Sequence, residues 1–217
     1  MRAQVVAALR AVIVLTVLVG VAYPLVVTGV SQVVFGDKAD GSLIERDGDV
    51  VGSELLGQTF VSDEYFHGRP SSAGGGASGS EIDVLDDAGN PTGETVLAST
   101  DDLSTGASGA SNLGPTNEDL LATIQERIDA YRDDNGLTSD TLVPVDAVTG
   151  SASGVDPHIS VDNARLQTER VADARGLGVD QVNDLVDDHT SGRSLEFLGE
   201  EGVNVLELNL ALDEVAG

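Results

Sequence analysis

Twenty-five consecutive uncharged, mostly apolar residues, Ala11 to Phe35, set the start of this chain apart from all that follows. As a helix rising roughly 1.5 Å per residue, the run reaches about 37 Å, enough to cross a hydrocarbon core of about 30 Å with some tilt. The pattern predicts a short N-terminal stretch (1–10), one transmembrane helix (11–35) and a polar domain (36–217). Within that domain, apolar residues return at helical spacing three times. Thr116 or Asn117 caps a helix carrying Leu120, Leu121, Ile124, Ile128 and Tyr131 and ending at Gly136. Ser160 caps a second, through Ala164, Gln167, Val171 and Ala174 to a stop at Gly176; a third begins near Asp180, with Val182, Leu185, Val186 and His189 on one side. Strands are predicted at Leu142–Val148 and at Asn204–Leu212, where Leu206, Leu208, Leu210 and Leu212 alternate with other residues. Gly41–Ile44 and Val50–Ser53 flank Asp47-Gly48-Asp49 and predict a hairpin or two extended segments. From Ser71 to Ala110, Gly, Ser, Thr, Asp and Ala dominate, so an irregular solvated insertion with a weak hairpin around Gly89-Asn90-Pro91 is expected. The fold class is α+β: a single N-terminal transmembrane helix followed by one extracytoplasmic α+β domain.

Charge orients the span. Arg2 and Arg10 precede it and Asp37, Lys38 and Asp40 follow, so the N-terminus is expected in the cytoplasm and the domain outside. A cleaved signal peptide would have an apolar region of about 7–15 residues ending at a small-x-small site. This run is longer and leads into Gly36-Asp37 without one, which favours an uncleaved anchor in the cell membrane. Gly20, Pro24, Gly29 and Ser31 interrupt the apolar run, and Tyr23, Thr28 and Gln32 add polar atoms. Pro24 leaves the Gly20 carbonyl without its helical donor and predicts a bend. The small residues allow close approach of a partner helix, and Gln32 can hydrogen-bond across such a contact.

Composition narrows the possible functions. Only Arg2 and Arg10 precede the span, so the other nine basic residues stand against all 37 acidic ones, giving the domain a charge of −28. Such a surface repels nucleic acid and anionic headgroups. With Lys38 the only lysine, it also suits a protein living in concentrated salt, where the Debye length falls to about 3 Å. No cysteine is present, which excludes disulfides and thiolate metal sites.

The candidate chemistry is sparse. His67, His158 and His189 show no paired metal-ligand spacing, and Asp83, Asp86 and Asp87 lack a complete calcium-loop signature. Ser151, Ser153 or Ser160 with His158 and Asp156 would suggest a nucleophile system, but no Gly-x-Ser-x-Gly elbow is present. Asp156-Pro157-His158 reads instead as a capped turn before a helix. The glycine tracts carry no lysine and make no phosphate loop.

A series of uncommon motifs runs along the chain in order. Val21-Ala22-Tyr23-Pro24-Leu25 and Thr28-Gly29 lie in the span, followed by Gly41-Ser42-Leu43-Ile44, Val51-Gly52-Ser53 and Gly57-Gln58 with Phe60. Tyr65-Phe66-His67-Gly68-Arg69-Pro70-Ser71, Ser111-Asn112-Leu113-Gly114-Pro115-Thr116-Asn117 and Asp156-Pro157-His158-Ile159-Ser160 come next. Arg170-Val171-Ala172, His189-Thr190 with Arg193, and Val203 through Asp213 complete the set. In these segments the chain resembles the C-subunit family (KdpC) of the Kdp-type potassium-transporting ATPases, nearly end to end. The acidic stretch at about 78–104 looks inserted, and the family's Tyr-Asn pair between its Gly-Arg-Pro and Ser-Asn-Leu-Gly-Pro-Thr-Asn motifs is not visible.

The resemblance implies a non-catalytic accessory subunit of a high-affinity, ATP-driven potassium uptake complex. Its partners would be a channel-like, potassium-selecting subunit and a P-type ATPase subunit, whose assembly it supports. The family is also associated with raised ATP affinity of the catalytic subunit. With only about ten residues expected inside, such a link would be indirect, and no cofactor is assigned to the chain itself. Candidate partner contacts are Gly20, Pro24, Gly29 and Gln32 in the span and Tyr65, Phe66, Arg69, Asn112, Asn117, Asp156 and His158 in polar turns, since loops carry recognition more often than core elements. For Asn117 capping is the competing role. A membrane-anchored hydrolase and a solitary sensor domain are the alternatives.

The charge makes a direct prediction. Self-repulsion at low ionic strength is screened in molar salt, so the unfolding midpoint of the full chain should rise from dilute buffer to molar potassium chloride. An unchanged midpoint would contradict the salt-adapted reading.

Overall fold

The computed structural model describes residues 1–46, 48–72, 81–85, 91–97 and 108–215. The chain forms two compact units, Met1–Ser53 and Glu54–Gly217.

The first unit carries the apolar helix, 33 residues from Arg2 to Val34 with no residue buried. It consists of α1 (Arg2–Val17), a π turn at Leu18–Ala22 and α2 (Tyr23–Val34). Pro24 cannot donate to the Gly20 carbonyl, and just before it the helix widens into this turn, in which the Tyr23 N–H reaches back five residues to Leu18 O. Phe35 leaves helical geometry at φ −135°, and a single turn, α3 (Gly36–Ala39), follows. Gln32 Nε2 donates to Asp40 Oδ1 at 2.9 Å, so its amide is engaged within the chain. The hairpin is present: β1 (Leu43–Arg46) pairs antiparallel with β2 (Asp49–Ser53), with an irregularity between Ile44 and Glu45.

In the second unit, β3 (Glu81–Leu85) and β4 (Pro91–Leu97) form an antiparallel hairpin within the acidic stretch. The rest of that stretch, with Asp86 and Asp87, lies outside the described residues. The helices follow their punctuation. Asn117 Oδ1 accepts the Leu120 N–H at 2.9 Å to start α4 (Glu118–Asp134). Ser160 Oγ accepts the Asn163 N–H at 3.2 Å to start α6 (Val161–Arg175), and Gly176 ends it at φ 67°, with Leu177 N–H returning to Ala172 O. Next comes α7 (Val179–Asp188), with Val182 and Val186 fully buried.

Both predicted strands are corrected. Over Leu142–Val148 the chain forms only a short helix, α5 (Val145–Val148): Pro144 sets φ at −58° just before it, and Thr149 Oγ1 donates back to Val145 O at 2.7 Å. Leu142 and Val145 remain 89% and 73% exposed while Val148 is buried, so burial does not alternate as it does along a half-buried strand. Asn204–Leu212 is a strand only at its start. Asn204 ends β7 (Gly202–Asn204), and its Oδ1 accepts the N–H groups of Leu206 and Glu207, turning the chain into α8 (Val205–Val215). Val205, Leu208, Asn209 and Leu212 are buried, the i, i+3, i+4, i+7 face of a helix.

A small antiparallel sheet runs β5 (His158–Ile159), β7, β6 (Thr190–Ser191). Ile159 and Val203 join Ala164, Val171 and Ala172 of α6, Val182 and Val186 of α7, Leu208 and Leu212 of α8, and Phe66 in one core. Ala174, expected on the core face of α6, is exposed. The backbone passes closest at Gly57. Its N–H donates to Val155 O at 2.9 Å, and a Cβ there would lie 2.5 Å from Asp156 O.

Gly57→Ala should therefore cost about 1–3 kcal/mol, because backbone rather than a flexible side chain must give way. Urea unfolding of the detergent-solubilised full chain measures it; an unchanged midpoint would disprove the tight approach.

Candidate functional site

Among the described residues no strand pairs with the Tyr65–Pro70 segment, yet Phe66 is fully buried. Its backbone polar groups need partners, and two side-chain amides supply them. Asn209 Oδ1 accepts the Phe66 N–H at 2.8 Å while Asn209 Nδ2 donates to Phe66 O at 3.0 Å. Gln167 Oε1 accepts the His67 N–H at 2.7 Å and Gln167 Nε2 donates to His67 O at 3.1 Å. Each amide does for one residue what a neighbouring strand would do.

The clamp is braced from behind. Asn163, Gln167 and Arg170 share one buried face of α6. Gln167 Nε2 also donates to Asn163 Oδ1 at 2.9 Å, and Tyr131 OH donates to the same oxygen at 2.8 Å. Arg170 Nη2 donates to Gln167 Oε1 at 2.8 Å, its Nε to Asn135 Oδ1 and its Nη1 to Asp63 O. Asp146 of α5 accepts from the Ser160 N–H, Ser160 Oγ and Asn163 Nδ2, each within 2.9 Å. Burial first, then the Arg170 charge, lowers the His67 pKa from 6.5 to about 4. The neutral ring places Nε2 3.1 Å from Ser62 O.

At the start of the segment, Tyr65 OH donates to Asp213 Oδ1 at 3.1 Å, and the Arg175 guanidinium lies 4.6 Å from the ring centroid while pairing with the same carboxylate at 2.8 Å. Burial and the Asp213 charge raise the Tyr65 pKa. Further along, Arg69 Nη1 pairs with Asp156 Oδ2 at 2.7 Å, and Asp156 Oδ1 accepts the His158 N–H at 3.0 Å, the capped turn expected there. Among the described residues, no partner is found for the buried Arg69 Nε.

Three candidates named from sequence, Arg69, Asp156 and His158, thus come together on an open cleft of about 590 Å³, with Asp146, Ser160, Glu200 and Glu201 also on its walls. The others are not among the residues lining this cleft. Phe66 belongs to the core, and Asn117 is a helix cap. Asn112 sits at φ 54° with Nδ2 donating to Ala110 O at 3.1 Å. Gly20, Pro24, Gly29 and Gln32 are in the first unit; a Cβ on Gly29 would meet nothing within 4 Å. The serine hydroxyls are spent on turns: Ser160 Oγ donates to Asp146, and Ser151 Oγ lies 3.3 Å from Ser153 Oγ and accepts the Gly154 N–H. Among the described residues, no three His, Asp or Glu side chains are grouped to hold a metal ion. The arrangement fixes a surface.

The family described as "KdpC: K+-transporting ATPase, c chain" matches residues 5–214. The chain belongs to the KdpC family. A relative from Mycobacterium tuberculosis (strain ATCC 25618 / H37Rv), named "Potassium-transporting ATPase KdpC subunit", is 53% identical over 215 residues, 99% of this chain and 100% of its own. One of the same name from Rhodospirillum rubrum is 48% identical over 200 residues, covering 92% of this chain and 90% of its own. Another, from Koribacter versatilis, is 44% identical over 202 residues. Several KdpC motifs recognised in the sequence thus have a physical role here: Tyr65–Pro70 is the clamped segment, Arg170-Val171-Ala172 supplies the brace, and the C-terminal motif supplies Asn209.

The clamp's pH response follows from His67. Its pKa is depressed on folding, so the unfolded chain binds the extra proton between pH 6.5 and about 4. The stability this group contributes is full above pH 6.5 and lost as the pH falls through that window, by on the order of 1–3 kcal/mol. His67→Gln should flatten the acid limb relative to wild type in pH-dependent urea unfolding. Parallel limbs would refute a neutral, half-buried ring.

Proposed function

We propose that this chain is the accessory C subunit of an ATP-driven potassium uptake complex, a binding partner rather than a catalyst. The observation that carries the reading is 53% identity over 99% of the chain to relatives named as KdpC subunits of a potassium-transporting ATPase. The 33-residue apolar helix supports anchorage in the cell membrane. The bias of Arg2 and Arg10 supports a cytoplasmic N-terminus with the polar domain outside. The partners in this reading are a channel-like subunit that selects potassium and a P-type ATPase subunit that hydrolyses ATP.

A domain outside the membrane does not meet cytoplasmic ATP. Any effect on nucleotide affinity is then a coupling through the span, where about 1–2 kcal/mol shifts affinity roughly 5- to 30-fold. At the cleft Ser160 and Asp146 bond to each other and Arg69 pairs with Asp156, which favours support of assembly over chemistry.

Gly29→Leu tests the span: with open space around that position the leucine is accommodated within the chain, so it should reduce copurification with the other subunits while leaving the unfolding of the polar domain unchanged. Potassium-stimulated ATP hydrolysis and uptake should also fall in a complex lacking this chain. Undiminished activity there would defeat the assembly role.

A further inference from the structure

The connection from β6 to β7, residues 192–201, combines exposed apolar side chains, an unfavourable backbone and a local excess of acid. Leu195, Phe197 and Leu198 are 75%, 70% and 50% exposed. The chain has four phenylalanines. Phe35 ends the apolar helix, Phe66 is core and Phe60 packs against the core, so Phe197 alone among them stands out from the folded domain.

The loop is also built to hold its shape. Leu195 and Glu196 both adopt left-handed backbone angles, φ 54° and 69°, a conformation that side chains with a Cβ avoid and two successive residues rarely keep. Local bonds enforce it: Glu196 N–H donates to Arg193 O at 3.1 Å, Leu198 N–H to Ser194 O at 2.9 Å, and the Arg193 guanidinium pairs with Glu200 across the neck. A loop serving only as a connection has no need to fix strained residues in order to display a phenylalanine. Its base, through Gly192, Glu200 and Glu201, lines the cleft that holds Arg69, Asp156 and His158.

We propose that this loop is a docking tip: Leu195, Phe197 and Leu198 seat in an apolar pocket on a companion subunit, edged by basic side chains that meet Glu196 and Glu201. The inference rests on membership of the transport complex and names the surface this domain uses there. Charge selects the occupant. With Arg193 already paired to Glu200, the exposed Glu196 and Glu201 leave the tip anionic. Anionic headgroups and a second copy of the same tip are both repelled, whereas a basic-edged pocket is attracted. Apolar anchors inside a charged rim are the usual anatomy of a protein interface.

The test uses the full chain coexpressed with its complex, extracted in mild detergent and recovered through a tag, with each companion chain identified and quantified. Phe197→Asp should reduce recovery of one companion subunit at least tenfold without moving the unfolding midpoint. Glu196→Lys combined with Glu201→Lys should reduce it as well, whereas Leu121→Asp, at an exposed position on α4, should not. Equal recovery by wild type and Phe197→Asp overturns the proposal, as does improved recovery on charge reversal. Binding of the tip to anionic vesicles, or a wild-type self-association that Phe197→Asp abolishes, would assign it another occupant and overturn the proposal too. Wild type recovering no companion at all would instead refute membership of the complex.

Discussion

Two side-chain amides fasten the segment around Phe66 into the core of the polar domain. A half-buried stretch around Phe66, with no strand paired to it among the described residues, leaves donors and acceptors that cost about 1–3 kcal/mol each when buried and unmet. Gln167 and Asn209 meet four of them on two successive residues. Because one amide comes from α6 and the other from α8, satisfying the segment also fixes those helices against each other. Phe66 is thereby held in the core between them, and Arg69, two residues past the clamp, reaches Asp156 at the cleft. An apolar replacement for either amide would fill space and still leave the backbone unsatisfied.

The domain's few cations serve a similar purpose. Arg127 donates to Val148 O, Arg132 to Thr141 O, Arg170 to Asp63 O and Arg175 to Glu64 O, while Arg69, Arg165 and Arg193 pair with carboxylates. Arginine suits this work, since its planar fork binds several acceptors at once. The consequence is an imbalance: positive charge is committed to internal fastening, and nine basic residues cannot pair one to one with 37 acidic ones.

Much of this was legible in the sequence wherever local chemistry decides. Asn117, Ser160 and Gly176 begin and end helices as their side chains and backbone preferences dictate. The glycine-centred turn gave the β1–β2 hairpin. Counting alternate leucines failed from Val205 onward because it treated Asn209 as surface, when that residue is 1% exposed and faces Phe66. The contrary signals were present. Leucine favours helix over strand, and Asn204 followed by Glu207 resembles a helix start. Motif recognition singled out Arg69, Asp156 and His158, which the fold then brings to one cleft, but it could not tell that Phe66 is core or that Asp146 and Asn163 brace the clamp. Buried polar residues take their meaning from partners far along the chain, as Phe66 and Asn209 do across 143 positions.

The π turn at Leu18–Ala22 changes how the apolar helix must be drawn. Such a turn accommodates one surplus residue, so everything beyond it is rotated by about 100° relative to an uninterrupted α-helix. A helical wheel carried straight through from Arg2 to Val34 therefore assigns Gly29 and Gln32 to the wrong azimuth. The two halves of the rod address different directions, and the offset is set by a single residue. Removing one position between Leu18 and Ala22 would leave the hydrophobic length almost unaltered while swinging the distal half through more than a quarter turn. In this helix, angular phase is a property the sequence must preserve alongside hydrophobicity.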